Sequence, residues 1–356
     1  MDIKITVIGA GNGGQAISAY CASIGLPVCL YNRSIDRFHL KNQQLRIELR
    51  GAIRTKTEIS LLTDNIQEAV EFGDIIMVVT TATAHRDIAR QISPYLKDGQ
   101  IIILNPGRTC GVLDFSSALS QRQDIKVSLA EAQTLVYACR EIVPGVINVI
   151  GVKNKVLLAG RTRKETEYVV SIMRKIFRCF IPASNLLETG LENIGAIFHP
   201  PIVLFNAASI ERNNQFYFYR DMTSEISDFI ISLDKERLQT GAAYGINLMP
   251  VYDWLKYAYP DTSGNTLCER MRNNPAYYDI KGPGSIFTRQ LTEDIPTGLV
   301  PISELAFKAG VQTPLMNAII TISSSLLGID FRKEGRSLSN LGIQNLSKKD
   351  IINAIS

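Results

Sequence analysis

Apolar residues along the 356-residue chain fall into two regimes. Up to about residue 183, short β-branched runs alternate with helically spaced segments. Lys4 to Ile8 alternates as a first strand would, and "LPVCLYN" predicts a second, ending near Asn32. "DIIMVVTTATAH" and "QIIILNPGRTCG" are continuous apolar runs, the pattern of parallel strands covered on both faces. "KVSLAEAQ" predicts another strand, and "VINVIGVKNKVLLAG" a hairpin turning at Lys153-Asn154. The amphipathic helix "KETEYVVSIMRKIF" and the short strand "RCFIPAS" follow. This rhythm predicts an α/β domain over residues 1–183.

Over residues 184–356 strand alternation gives way to helical spacing, predicting an all-α C-terminal domain. "IGAIFHPPIVLFNAASIE" places His199 inside an apolar run, directly before Pro200 and Pro201. Two prolines remove backbone donors and restrict their neighbours, so a kink or helix restart is expected near His199. A buried imidazole needs a partner for each ring nitrogen; it is either a satisfied structural residue or a held proton. Arg289 and Asp294 stand in a stretch rich in glycine and proline that reads as a loop. A guanidinium suits bidentate carboxylate binding, and a carboxylate beside an imidazole fixes its tautomer. A surface ion pair is the plainer alternative. Near the end, Ser347 and Asp350 have capping-box spacing, with Asp in place of Glu.

The chemistry of the first half sits at the end of the first strand. "KITVIGAGNGGQAISAYCAS" carries Gly9, Gly11 and Gly14 as G-x-G-x-x-G, with Asn12 and Gly13 between them, and helical spacing begins at Gln15. Glycines there allow a tight turn and close approach of backbone to a pyrophosphate, which the free N–H groups of the helix start attract. With a strand before it and a helix after, the motif predicts a Rossmann-type dinucleotide-binding domain. An NAD site usually carries an acidic residue at the end of the second strand, bonding the adenosine ribose. Here Asn32, Arg33 and Ser34 stand there instead. Arg33 can pair with a 2′-phosphate that a carboxylate would repel, so NADPH is expected to be preferred, with NADH possible. His85, just past a predicted strand, reads as a surface-loop residue.

Composition narrows the partners. Formal net charge is +4, with 46% apolar and 20% charged residues, and no basic block favours nucleic acid or a membrane surface. No apolar run approaches the roughly 20 residues of a membrane span, and the N-terminus does not read as a signal peptide. Six scattered cysteines, without metal-type spacing, read as the reduced thiols of a cytoplasmic protein. Small-molecule substrates are expected, and exposed helices make a homodimer plausible.

With these motifs in view, the chain resembles the opine dehydrogenase family, the octopine/nopaline dehydrogenase group, over nearly its whole length. The resemblance is carried by "IGAGNGG", "NPGRTCG", "TLVYACR", "ENIGAIFHPPIVLFNAASIE", "FYRDMTSEISDFIISLDKERLQTGAAYGI" and "RQLTEDIPTGLVPISELAFKAGVQTP". It implies an NAD(P)H-binding domain followed by an all-helical one. It also implies reductive condensation of a 2-oxo acid, pyruvate most simply, with an amino acid. By motif, His199 and Asp294 take the catalytic pair's place and Arg289 that of the oxo-acid anchor. Two departures fall on the amino-acid side: Gly195 where many relatives have asparagine, and Gln290 where an aromatic residue is common. Asn193 is the candidate replacement for the missing amide.

Two rival readings are open on the sequence. A ketopantoate-type or simple 2-oxo acid reductase shares the two-domain plan without an amine partner, but typically relies on lysine. A non-catalytic NADPH sensor would have no use for Arg289 and Asp294 beside His199.

Overall fold

The computed structural model describes residues 3–38, 45–119 and 125–354. The chain divides into two compact units, Met1–Gly107 with Gly111–Leu186, and Arg108–Cys110 with Leu187–Ser356. The short Arg108–Cys110 segment thus belongs with the second unit, although both its neighbours in sequence lie in the first.

Among the described residues the first unit has twelve strands: β1 (Ile5–Ile8), β2 (Val28–Tyr31), β3 (Arg46–Gly51), β4 (Thr55–Glu58), β5 (Leu61–Thr63), β6 (Ile75–Val78), β7 (Ile101–Leu104), β8 (Ser128–Ala132), β9 (Tyr137–Val143), β10 (Val146–Val152), β11 (Val156–Gly160) and β12 (Phe180–Pro182). Eight of them form one sheet in the order β12-β11-β8-β7-β6-β1-β2-β5. All its pairings are parallel except that of β8 with β11. β1, β2, β6 and β7 are buried along their whole length, which is why their sequences are continuously apolar rather than alternating. The chain leaves β1 towards β2 on one side and later returns to β6 on the other. This places a topological switch point at the C-terminal end of β1, where such sheets bind ligands.

The remaining four strands form a second sheet, β4-β3-β10-β9. This corrects the expected hairpin at Lys153-Asn154: β10 and β11 lie in different sheets. The hairpin is β9–β10, with Val143 paired to Val146 across Pro144-Gly145. Gly145 takes φ +84, the left-handed geometry a tight turn needs and glycine tolerates. "YACREIV" hides its strand character because charged Arg140 and Glu141 interrupt the alternation. His85 is also corrected: it is fully buried and begins the His85–Ile92 helix.

In the second unit the described residues form helices, with one isolated bridge between Tyr217 and Lys281. The helix does not restart at His199. One helix runs from Ile194 to Phe205 through both prolines. Asn193 precedes it as cap, so Pro200 and Pro201 sit beyond its first turn and the loss of two donors leaves the helix unbroken. The segment around Asp294 is helical too, not a loop. A short helix (Arg289–Thr292) is followed by a π-helical turn (Ile295–Leu299) that feeds the Val300–Lys308 helix. At the C-terminal end, Ser347 and Asp350 exchange side-chain-to-backbone bonds at 3.2 Å each, as their spacing predicts. The six cysteines are free, and burial pushes the Cys21 and Cys29 thiols up to about 12. Among the described residues, no helix is long and apolar enough to cross a membrane.

The tightest point of the first unit is Gly14, where an added Cβ would stand 1.7 Å from the Gly9 carbonyl oxygen. Gly14→Ala is therefore expected to destabilise the protein by about 3 kcal/mol. Urea unfolding measures the shift, and an unchanged midpoint would contradict the packing described.

Candidate active site

The glycine turn after β1 meets the requirements of a dinucleotide cradle one residue at a time. Gly9 adopts φ +108, and a Cβ on it would press to 2.6 Å on the Val79 carbonyl oxygen, at the end of β6. Gly14 lets the helix start close on the Gly9 carbonyl. Gly11 caps the Asn12–Ser23 helix, and a Cβ there would meet nothing within 4 Å, so this face of the turn is open to an approaching pyrophosphate. No acidic residue occupies the helix's first turn and no side chain caps it; its N–H groups and dipole suit an anion. The residues present therefore fit a nicotinamide dinucleotide. Gly13 is packed on Leu135, its absent Cβ lying 2.8 Å from that side chain. Asn12 Oδ1 accepts from the Glu141 N–H at 3.2 Å, while Gln15 accepts from the Gly145 N–H at 2.9 Å. These bonds pin the β9–β10 hairpin to the glycine helix.

Asn32 follows β2 directly. Its Oδ1 accepts from the Ala10 N–H at 3.3 Å, and its amide nitrogen donates to the Ser34 carbonyl at 2.6 Å. It therefore braces the glycine turn as well as replacing the usual acid. Arg33 and Ser34 are exposed beside it. Arg37 is ion-paired with Glu141, a second cation near this strand end that the sequence did not single out.

The helical unit brings an imidazole and a carboxylate into direct contact. His199 lies on the Ile194–Phe205 helix and Asp294 immediately before the π-helical turn, 2.6 Å apart from Nδ1 to Oδ2. His199 Nε2 lies 3.0 Å from the Tyr219 hydroxyl. Both ring nitrogens are thus partnered, and Tyr219 is itself stacked on Tyr277 with centroids 4.2 Å apart. The other Asp294 oxygen, Oδ1, is 3.2 Å from Arg108 Nη1. Arg108 also lies 3.5 Å from Glu293 Oε1, and Glu293 Oε2 is 3.5 Å from Arg289 Nη1. Two guanidiniums and two carboxylates therefore form one cluster around the histidine.

Charge explains how Asp294 tolerates burial. Desolvation alone would raise its pKa, but the Arg108 charge, then His199 and its hydrogen bond, then Arg289, outweigh it and hold the carboxyl below the usual carboxylate range, at about 2. Arg108 balances burial in the opposite sense: desolvation would lower it, but Asp294 and Glu293 carry it above the usual guanidinium value. Arg289, expected to anchor the oxo acid, keeps 53% of its side chain exposed. Asn193 is buried, accepts from Arg108 Nη1 at 3.3 Å and donates to Thr109 Oγ1 at 3.3 Å. Its amide is engaged with the Arg108–Cys110 segment at both ends. Gln290 takes the hydroxyl of Thr288.

The start of the His199 helix is fixed from behind by Arg237, whose side chain is fully buried. Arg237 donates to Asp234 at 2.7 Å, to the Leu191 carbonyl at 3.1 Å and to the Met249 carbonyl at 2.6 Å. The adjoining Glu192 accepts from the Met249 N–H at 2.7 Å. Arg108, Tyr219 and Glu293 were not among the residues picked from the sequence. Each lies within or beside a quoted motif, but nothing in "NPGRTCG" shows that its arginine turns toward residues almost 200 positions away.

The comparisons agree with this architecture. The NAD/NADP octopine/nopaline dehydrogenase alpha-helical domain matches residues 182–327, and the NAD-dependent glycerol-3-phosphate dehydrogenase N-terminus matches residues 4–107. The chain is 35% identical to an opine dehydrogenase of Arthrobacter sp. (strain 1C), covering 98% of both chains. It is 26% identical to an octopine dehydrogenase of Mizuhopecten yessoensis, covering 94% of this chain and 92% of that one. In structure it is similar to octopine dehydrogenase in complex with NADH and agmatine, with a TM-score of 0.80 at 20% identity over 98% of both chains. A ketopantoate reductase from Ralstonia solanacearum MolK2 shares the fold at a TM-score of 0.61, with 17% identity, covering 92% of this chain and 100% of that one.

A carboxylate ionised in the fold at a pH where the unfolded chain takes up a proton stabilises the fold above about pH 4 and loses that contribution as the pH falls toward 2. Asp294→Asn is thus expected to be less stable than the parent at pH 7 by on the order of 3 kcal/mol. The gap should narrow below pH 4, as urea midpoints across this range would show. A gap independent of pH would mean that Asp294 is not held ionised.

Proposed function

The chain belongs to the opine dehydrogenase family, and on that premise we propose that it reduces the imine formed from a 2-oxo acid, pyruvate in the simplest case, and the amino group of an amino acid. The product is an N-(1-carboxyalkyl) amino acid. The observation that carries this assignment is the 2.6 Å contact between His199 and a buried, ionised Asp294.

Condensation of amine and carbonyl expels water, and its protons must be moved at the carbonyl oxygen. Asp294 accepts from Nδ1–H, which leaves Nε2 as the imidazole's working face. Protonated there, His199 donates to the departing oxygen. Before substrate binds, the Tyr219 hydroxyl occupies the same nitrogen, and the departing oxygen takes its place. Arg289, held by Glu293 yet half exposed, binds the carboxylate of the oxo acid and fixes which carbon is presented. The dinucleotide, when bound, would supply the hydride to the carbon of the nitrogen-protonated imine, giving the secondary amine. Asn193, holding the Arg108–Cys110 segment, shapes the amino-acid side rather than offering a free amide.

NADPH is the preferred form in this account. Exposed Arg33 and Ser34, with neutral Asn32 in place of an acid, favour a 2′-phosphate. Six free cysteines accord with a cytoplasmic enzyme, and exposed Phe307, Ile322 and Leu326 are available to a homodimer.

The experiment is to follow reduced-nicotinamide absorbance with NADPH and pyruvate while amino acids are added singly. Oxidation that requires one amino acid is expected. Oxidation without any amine would mean a simple 2-oxo acid reductase, and binding of NADPH without turnover would mean a sensor. His199→Ala should lower kcat by about 100-fold or more with the KM for NADPH little changed. Arg33→Ala should weaken NADPH at least about tenfold relative to NADH, the loss of one charge-assisted contact; equal effects on both would remove Arg33 from the phosphate site.

A further inference from the structure

We propose that Arg108 is a positioning residue for the His199–Asp294 pair and that Gly195 is the seat that admits it, an assignment resting on His199 as the proton carrier. Gly195 lies one helical turn before His199. A Cβ at that position would come 2.7 Å from Arg108 Nη1, 3.2 Å from Asp294 Oδ1 and 3.3 Å from His199 Cε1. The volume that a side chain at 195 would fill is therefore already taken by the guanidinium, which is ion-paired with Asp294, and is bordered by the His199 ring.

The backbone is strained to bring Arg108 there. Glycines stand at 107 and 111, yet the left-handed conformations fall on Arg108, with φ +62, and Cys110, with φ +59. A non-glycine residue in that region costs on the order of 1 kcal/mol and persists only where its surroundings over-determine it. Here the Thr109 N–H donates to the Thr297 carbonyl at 3.1 Å and its hydroxyl to the Gly190 carbonyl at 2.6 Å. Arg336 donates to the Thr109 carbonyl at 3.0 Å. The segment is held rigidly, and what it presents is one guanidinium.

That guanidinium faces Asp294 Oδ1, Glu293 Oε1 and Asn193 Oδ1, and only 12% of its side chain is exposed. It is therefore not placed to take a substrate carboxylate itself. The Arg108 charge 3.2 Å from Oδ1 opposes rotation of the Asp294 carboxylate about its Cβ–Cγ bond and favours the orientation that aims Oδ2 at Nδ1. Glu293, shared with Arg289, joins the proton pair to the carboxylate anchor.

Arg108→Ala, Gly195→Ala, the double variant and His199→Ala test this, assayed with NADPH, pyruvate and the amino acid that supports turnover. Arg108→Ala is expected to lower kcat about 100-fold with the KM for NADPH unchanged within about twofold, and millimolar guanidinium should restore part of the loss. Arg108→Lys should be intermediate. Gly195→Ala should lower kcat on the order of tenfold by displacing the guanidinium, and it carries the test if Arg108→Ala does not fold. In the double variant, the losses should not multiply, since both act through one contact. Retention of kcat in Arg108→Ala or Gly195→Ala while His199→Ala is inactive overturns the role of Arg108 alone, as do multiplying losses. Full activity in His199→Ala overturns the proton-carrier assignment, and this inference with it.

Discussion

The arrangement of the helical unit turns on keeping one carboxylate charged where water does not reach it. An isolated buried ion costs several kcal/mol even after relaxation, so Asp294 must be met by partners. Arg108 meets one oxygen and His199 the other. Each partner imposes a demand on the chain around it. Arg108 needs a left-handed backbone and an empty position at 195. The approach of the π-helical turn to the His199 helix needs Gly298, where a Cβ would lie 2.5 Å from that of Ala196. Two glycines in different segments thus permit the same close packing of charge around one imidazole.

The same economy of small residues governs the first unit. There the demand is for exposed backbone N–H groups rather than for compensated charge. Gly9 and Gly14 let the turn close on itself and on β6, while Gly11 leaves the helix start open. Asn32 braces the turn through Ala10, so that a neutral residue stands where an acid is usual without loosening the loop.

Much of this was legible in the sequence. Buried parallel strands announce themselves as apolar runs, and a glycine motif between strand and helix has few other uses. His199 and Asp294 could be paired through the family's motif. What could not be read depends on contacts across long sequence separations. "YACREIV" and "VINVIGV" pair with each other because the Pro144-Gly145 turn and β3 recruit them into a second sheet, and charged residues within the first mask its period. The His199 helix continues past two prolines because packing on either side outweighs two lost backbone bonds. Arg108 was hidden for another reason: "NPGRTCG" looks like a loop in which glycines carry the unusual geometry, whereas Arg108 and Cys110 carry it. Gly195 was noticed as a departure from relatives, but only the structure shows which side chain uses the space.

The central claim is that an ionised Asp294 fixes the tautomer and orientation of His199. Long-range proton–nitrogen correlation NMR of the protein labelled at histidine nitrogen tests it most directly, with His199→Gln used to assign the signal. The account predicts a proton on Nδ1, strongly deshielded by its carboxylate partner, at every pH between 5 and 9. A neutral ring carrying its proton on Nε2, with Nδ1 bare toward Asp294, would contradict it.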